Sequence, residues 1–160
     1  MRGRVVSVNI SDRRGIRKKQ VQEASIKREF GIEGDAHASA KWHRQVSLLA
    51  LESIKKMQAM GLKVDPGDFA ENITTEGIEL FSLPIGTRME IGNSIEAEVT
   101  QIGKACHTKC EIYTQAGACI MPKEGIFVKI LKGGKVKVGD TIVISREEAI
   151  CKKKRLPQPS

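Results

Sequence analysis

Three of the four cysteines, Cys106, Cys110 and Cys119, fall close together, and the first two sit beside Lys104, His107 and Lys109. Neighbouring cations favour thiolate over thiol, and the thiolate is the form that attacks sulfur, carries a persulfide or ligates a soft-accepting metal. Reduced, reactive or metal-linked thiols therefore suit this cluster better than a disulfide framework, which would be denser. Two plainer readings stay open. The cysteines are ordinary packed thiols, above all Cys119, whose neighbours Ile120 and Met121 are apolar. Or Cys106, His107, Cys110 and Cys119 make a zinc site, although the Cys-x3-Cys spacing lacks a second paired half.

A second group of polar residues surrounds the single tryptophan. His37 and His43 flank Trp42, and Arg44 follows it. The Arg44 guanidinium offers a planar fork that matches phosphate, so this loop is a candidate anion contact. A surface loop pinned by Trp42 explains the same residues without a ligand. Asn72 can read a pterin-like edge through its paired donor and acceptor, or simply cap local backbone.

These residues must be positioned by short strands. Residues 4–10 alternate Val6, Val8 and Ile10, and residues 95–99 alternate Ile95, Ala97 and Val99 with charged neighbours. Residues 126–131 and 135–138, separated by Gly133-Gly134, read as a hairpin, followed by a strand over 141–145. Further strands are expected over 45–49 and 87–91, with 69–73 extended. Residues 21–30 fit either a strand or an irregular segment. One helix is evident, where Leu51, Ile54 and Met57 recur at helical spacing and Gly61 offers a stop. Many short strands with few helices predict a mainly β, barrel-like fold rather than a doubly wound sheet. The Cys-containing segment follows the 95–99 strand, which would put it at a barrel mouth.

Length and composition agree with one domain over 1–146 and a basic flexible tail over 147–160, rich in lysine and carrying Pro157 and Pro159. Net charge is +8 from 27 basic and 19 acidic residues, but much of the excess lies in the runs 13–19 and 152–155, which read as solvated surface. One Trp, one Tyr and four Phe make a poor stacking platform, which argues against nucleic acid as partner. No apolar run is long enough to span a bilayer, and the first residues lack a secretory pattern, so a cytoplasmic location is expected. Phosphate-binding glycine loops, the dinucleotide fingerprint and the serine elbow are all absent, which excludes the corresponding nucleotide and serine chemistries.

Taken in order, several segments resemble the MOSC domain, the family named for the C-terminal part of molybdenum cofactor sulfurase. They are Gly31-Ile32-Glu33-Gly34-Asp35-Ala36-His37, Arg44-Gln45-Val46-Ser47-Leu48-Leu49, Gly67-Asp68-Phe69-Ala70-Glu71-Asn72-Ile73 and Leu83-Pro84-Ile85-Gly86. They continue through Glu98-Val99-Thr100-Gln101-Ile102-Gly103-Lys104, Cys106, Cys110, the stretch Cys119-Ile120-Met121-Pro122-Lys123-Glu124-Gly125-Ile126-Phe127 and the Gly139-Asp140 turn. Each alone is weak, whereas their ordered combination is specific and spans nearly the whole chain.

The resemblance implies a MOSC-type β-barrel with a few short helices that handles molybdenum cofactor, a pterin dithiolene bearing a phosphate. It also implies a reactive cysteine, carried over to Cys110 or Cys106. Cys110 is preferred as the molybdenum ligand because the Lys109-Cys110 pair resembles the basic-Cys step of molybdenum-binding relatives. His37, Arg44, Asn72, Lys104 and Cys119 are the expected cofactor-binding residues. The implied function is molybdopterin binding, with oxidoreductase activity on N-hydroxylated compounds as in some relatives. The alternative is a sulfur (persulfide) or cofactor carrier that delivers to molybdoenzymes without turnover. A separate cysteine desulfurase or a molybdoenzyme would then be the partner. Larger sulfurases add a pyridoxal-phosphate domain that this length cannot hold, so pyridoxal phosphate is not expected here.

Overall fold

The computed structural model describes residues 1–103 and 120–144. Eleven strands are present among them: β1 (Arg2–Ile10), β2 (Lys19–Val21), β3 (Glu23–Lys27), β4 (Gly31–Ile32), β5 (Val46–Ala50), β6 (Ile73–Glu76), β7 (Arg88–Ile91), β8 (Ile95–Ile102), β9 (Ile126–Lys132), β10 (Gly134–Lys137) and β11 (Thr141–Ile144). The helix expected from the spacing of Leu51, Ile54 and Met57 is α1 (Leu51–Ala59). Ile54 and Met57 face inward from it, while its charged residues stay at the surface.

Strands run in the order β11-β7-β8-β9-β5-β6-β1, and β11 pairs with β1 to close a seven-stranded barrel, onto which β2 is added at β1. The closing register is Arg2 with Val143, Gly3 with Ile142 and Arg4 with Thr141. Closure leaves no exposed edge within those strands, which is how a sheet of this size satisfies its backbone groups. The fold is therefore mainly β, as the pattern of short strands predicts.

β5 is buried on both faces, and the alternation of its side chains divides the core in two. Leu48 points into the barrel with Val5, Val8, Ile73, Val99 and Ile130. Leu49 points the other way and packs with Ile54, Met57, Phe69, Met121 and Phe127 under α1. β5 and β6 are parallel, so the chain must cross over between them, and α1 lies in that crossover.

The hairpin expected across Gly133-Gly134 does not form. β9 pairs with β8 and β5, whereas β10 leaves the barrel and pairs with β3 in a separate sheet of order β10-β3-β4. The glycines explain the switch. A Cβ at Gly133 would stand 2.5 Å from the Ile26 carbonyl oxygen, and one at Gly134 would collide with the Ser94 hydroxyl. The pair is there because the chain passes closely over β3 and the β7–β8 turn, not because it makes a tight two-residue reversal. The uncertain stretch 21–30 resolves as the end of β2 and all of β3, the partner that β10 needs.

Candidate functional site

The loops that precede β5 build a cleft at one end of it. Gly31 adopts φ 122°, and a Cβ there would lie 2.5 Å from the Gln45 carbonyl oxygen. Only glycine lets the loop that carries Asp35 and His37 approach the segment that carries Trp42 and Arg44 this closely. The second segment is tied down by Thr100 of β8, whose hydroxyl lies 3.1 Å from the His43 carbonyl oxygen.

Behind the cleft is a buried ion pair. Lys18 Nζ donates to Asp35 Oδ1 at 2.7 Å, and neither side chain is more than 1% exposed. Asp35 Oδ1 also accepts from the Ser11 backbone at 3.0 Å, and Oδ2 accepts from the His37 backbone at 3.0 Å. Burial alone would raise the Asp35 pKa, but donors on His37, Lys18 and Asn72 and the Lys18 charge outweigh it. They hold this carboxyl well below the ordinary carboxylate range. Removing one member of such a pair leaves an uncompensated buried charge, a loss of about 3–5 kcal/mol.

In front of this pair, Arg14, Gly15, His37, Trp42, Arg44 and Phe127 enclose a cleft of ≈ 200 Å³. The Arg44 guanidinium lies 4.6 Å from the Trp42 ring centroid and 5.3 Å from that of Phe127, so two aromatic rings fix its orientation. Its Nε is buried and has no hydrogen-bond partner among the described residues. An unpartnered buried donor is costly unless a ligand meets it. Among the described residues the lining holds two guanidiniums and no carboxylate, and Asp35 behind it is engaged by Lys18. Such a lining attracts an anion or a ligand rich in acceptor oxygens.

His37 and Arg44 thus meet at one cleft. Asn72 stands apart from its lining: it is fully buried, and its Oδ1 accepts from Ser47 N at 3.0 Å and Ser47 Oγ at 3.2 Å. Its Nδ2 donates to the Asn9 carbonyl at 3.3 Å. The side chain is occupied by protein partners and braces β5 against β1. Beside it, Glu71 is also fully buried. Burial pushes its carboxyl up to about 7, against donors on the Gly67 and Phe69 backbone and on Thr74, whose hydroxyl gives a bond of 2.7 Å.

Cys106, Cys110, Cys119 and Lys104 lie outside the described residues, as does the zinc reading that joins the cysteines to His107. No group of three or more His, Cys, Asp or Glu side chains is placed to hold a metal among the described residues. None of the helices described is long and apolar enough to cross a membrane.

Three residues of the site escape a reading by composition. Lys18 and Arg14 belong to the basic run 13–19, read as solvated surface, yet Lys18 is only 4% exposed. No local alternation signals it, because Lys19 and Gln20 of β2, which follow it, are both exposed. Phe127 carries no such signal, because an apolar residue in a strand looks the same whether it faces a core or a cleft.

Comparison with known proteins agrees with this architecture. No curated protein gives a significant match. The barrel is similar to the YuaD protein of Bacillus subtilis, with a TM-score of 0.74 at 21% identity over 89% of this chain and 94% of that one. It is also similar to YiiM of Geobacillus stearothermophilus, at 0.68 and 18% identity over 90% and 75% of the two chains. For YiiM of Escherichia coli the values are 0.65 and 21%, over 99% and 80%. At such identities these likenesses establish the fold alone. The model of the MOSC domain matches residues 33–143, more than half of the chain and including β5 through most of β11. The loop that carries Asp35 and His37, the Arg44 segment and most of the β-barrel that holds them together lie within that match, and the chain belongs to the MOSC domain family.

Proposed function

We propose that this protein binds the molybdenum cofactor, with the cofactor's phosphate and pterin held in the cleft of Arg14, His37 and Arg44. The observation that carries the proposal is the buried Arg44 Nε, without a hydrogen-bond partner among the described residues, in a lining whose described residues include two guanidiniums and no carboxylate. A phosphate supplies the acceptor that Arg44 lacks, and a flat heterocycle suits the exposed face of Trp42, which is 45% exposed at the rim. At ≈ 200 Å³ the cleft is smaller than a typical small-molecule pocket of about 300 Å³ or more, so these walls account for one end of the ligand. Asn72 and the buried Lys18–Asp35 pair hold that end in shape from behind.

The other end falls to residues outside the described ones. Cys110, or Cys106, is the proposed molybdenum ligand, and Lys104 and Cys119 are proposed to lie against the cofactor. When bound, the metal would supply redox chemistry, and the activity proposed here is oxidoreduction of N-hydroxylated compounds, as the sequence resemblance implies. The chain's own residues bind, orient and charge-match the cofactor.

Anaerobic purification followed by metal and pterin analysis tests the proposal. Molybdenum with a fluorescent oxidised pterin is expected, lost together in Arg44→Ala and with molybdenum reduced in Cys110→Ala. Sulfur on a cysteine without molybdenum would replace this reading by the carrier. Neither metal nor pterin, with Arg44→Ala indistinguishable from the parent, would remove it.

A further inference from the structure

We infer that Thr100 is a positioning residue: its hydroxyl clamps the Arg44 segment to the barrel wall and so aims the guanidinium into the cleft. The inference comes from what holds residues 42–44. Among the described residues, the main chain of Trp42, His43 and Arg44 has one hydrogen bond, given by the Thr100 hydroxyl to the His43 carbonyl oxygen at 3.1 Å. The neighbouring ties fall outside that stretch. Lys41 N donates to Ser39 Oγ at 3.1 Å, and Gln45 N donates to the Val128 carbonyl at 3.2 Å.

A β-bulge presents this hydroxyl. Ile95, Ala97 and Val99 of β8 alternate into the barrel core, and Val99 pairs with Val128 of β9. The next pair is Gln101 with Phe127, so β8 advances two residues where β9 advances one, and Thr100 is the extra residue. Such a bulge re-aims a side chain. Here it also sets Thr100 Oγ1 at 3.3 Å from the Phe127 carbonyl oxygen and 3.0 Å from His43 Nδ1. A hydroxyl has one proton and two lone pairs, so a single group can serve all three.

Those contacts converge on what orients Arg44. The His43 carbonyl belongs to the peptide that joins His43 to Arg44. Phe127 carries the ring 5.3 Å from the guanidinium. The His43 ring lies beside Trp42, the other flanking ring, with centroids 5.0 Å apart. One hydroxyl thus restrains the backbone of Arg44 and the residues on both sides of its guanidinium. That Arg44 meets a cofactor phosphate rests on the cofactor-binding proposal, while the clamp does not.

Proton NMR of the ligand-free full chain reads the clamp through Arg44 Hε, assigned by its loss in Arg44→Lys. A proton held beside two aromatic rings is displaced from its ordinary resonance by their ring currents, and that displacement is expected in the parent. Thr100→Val keeps the shape, removes the hydroxyl and should collapse the displacement; Thr100→Ala gives the same reading should valine crowd the bulge. Thr100→Ser keeps the hydroxyl and should retain the signal. Gly133→Ala, just past the end of β9 remote from Phe127, lowers stability without touching the clamp and should leave the signal in place. Inorganic phosphate should bind about fivefold to tenfold more weakly to Thr100→Val, as the loss of one hydrogen bond implies, and unchanged to Thr100→Ser. A displacement that survives in Thr100→Val, that Gly133→Ala abolishes equally, or that the parent lacks would overturn the inference. So would phosphate bound equally by the parent and Thr100→Val. A parent that takes up neither phosphate nor molybdopterin, yet loses the displacement in Thr100→Val, forfeits the proposed function and keeps the clamp, so the two fail separately.

Discussion

The two buried carboxyls respond to burial in opposite ways because their partners differ. Asp35 has a cation and several donors within reach and stays ionised, whereas Glu71 has donors only and is pushed up to about 7. The consequence for stability follows from proton uptake. Below about 4.5 Glu71 is protonated in folded and unfolded chains alike, and it contributes no pH dependence. Between about 4.5 and 7 the folded chain binds the proton more tightly, so stability falls as pH rises, by a total on the order of 3 kcal/mol, and it levels off above that. Glu71→Gln keeps the shape of the protonated acid and should be more stable than the parent at pH 8 and equal to it at pH 4. Urea titrations across that range check this; a parent protein with no decline between pH 5 and 7 would contradict it. The Asp35–Lys18 pair belongs to the same scale. Asp35→Ala should lose about 3–5 kcal/mol, and removing both charges with apolar residues of similar volume should lose clearly less. A double-mutant cycle in urea measures the difference.

The segment around Gly133 decides where β10 goes. Its path depends on backbone passing over backbone, a contact that a single methyl group breaks. Gly133→Ala must displace the Ile26 carbonyl or the β9–β10 link, and a loss of about 1–3 kcal/mol is expected. Hydrogen exchange should rise first in β3 and β10, whose mutual pairing depends on that crossing, and least in β8 and β9. Equal acceleration across the whole barrel would show that the two sheets unfold as one unit. By contrast, the contact of Lys56 with Glu124 links α1 to the one-turn helix Met121–Glu124 at the surface, with Lys56 mostly exposed. Lys56→Ala should cost no more than about 1 kcal/mol.

The closed ring of strands sets what the molecule can lose. β11 ends at Ile144 and is clamped between β1 and β7, with the Ile144 backbone bonded to Met1. The ring is therefore complete without the basic run near the C-terminus. Deleting residues 151–160 should leave the thermal midpoint within about 2 °C and leave cofactor content unchanged. Deleting from Thr141 onward should abolish cooperative unfolding, because β1 and β7 would each lose a partner. If the shorter deletion loses only sulfur loading by a partner protein, the tail is a docking arm; a large fall in melting temperature would make it structural.

Much of the architecture is legible in local pattern. Alternation in 4–10 and 95–99 and the helical spacing of Leu51, Ile54 and Met57 are properties of neighbouring residues, and each became the expected element. His37 and Arg44 could also be singled out, since their types suit an anion wherever the chain places them. What local pattern could not decide is which side chains face each other across the chain. The Gly133-Gly134 pair has the same letters whether it turns a hairpin or lets two strands pass. Lys18 looks like its exposed neighbours until the loop at Asp35 folds over it and buries it against that carboxylate. Phe127, remote in sequence, becomes the second ring that orients Arg44 only because β9 pairs with β5. Residue types determined the available chemistry. Barrel closure determined which of those groups lost water and met one another, because burial and pairing are long-range properties that no window of sequence contains.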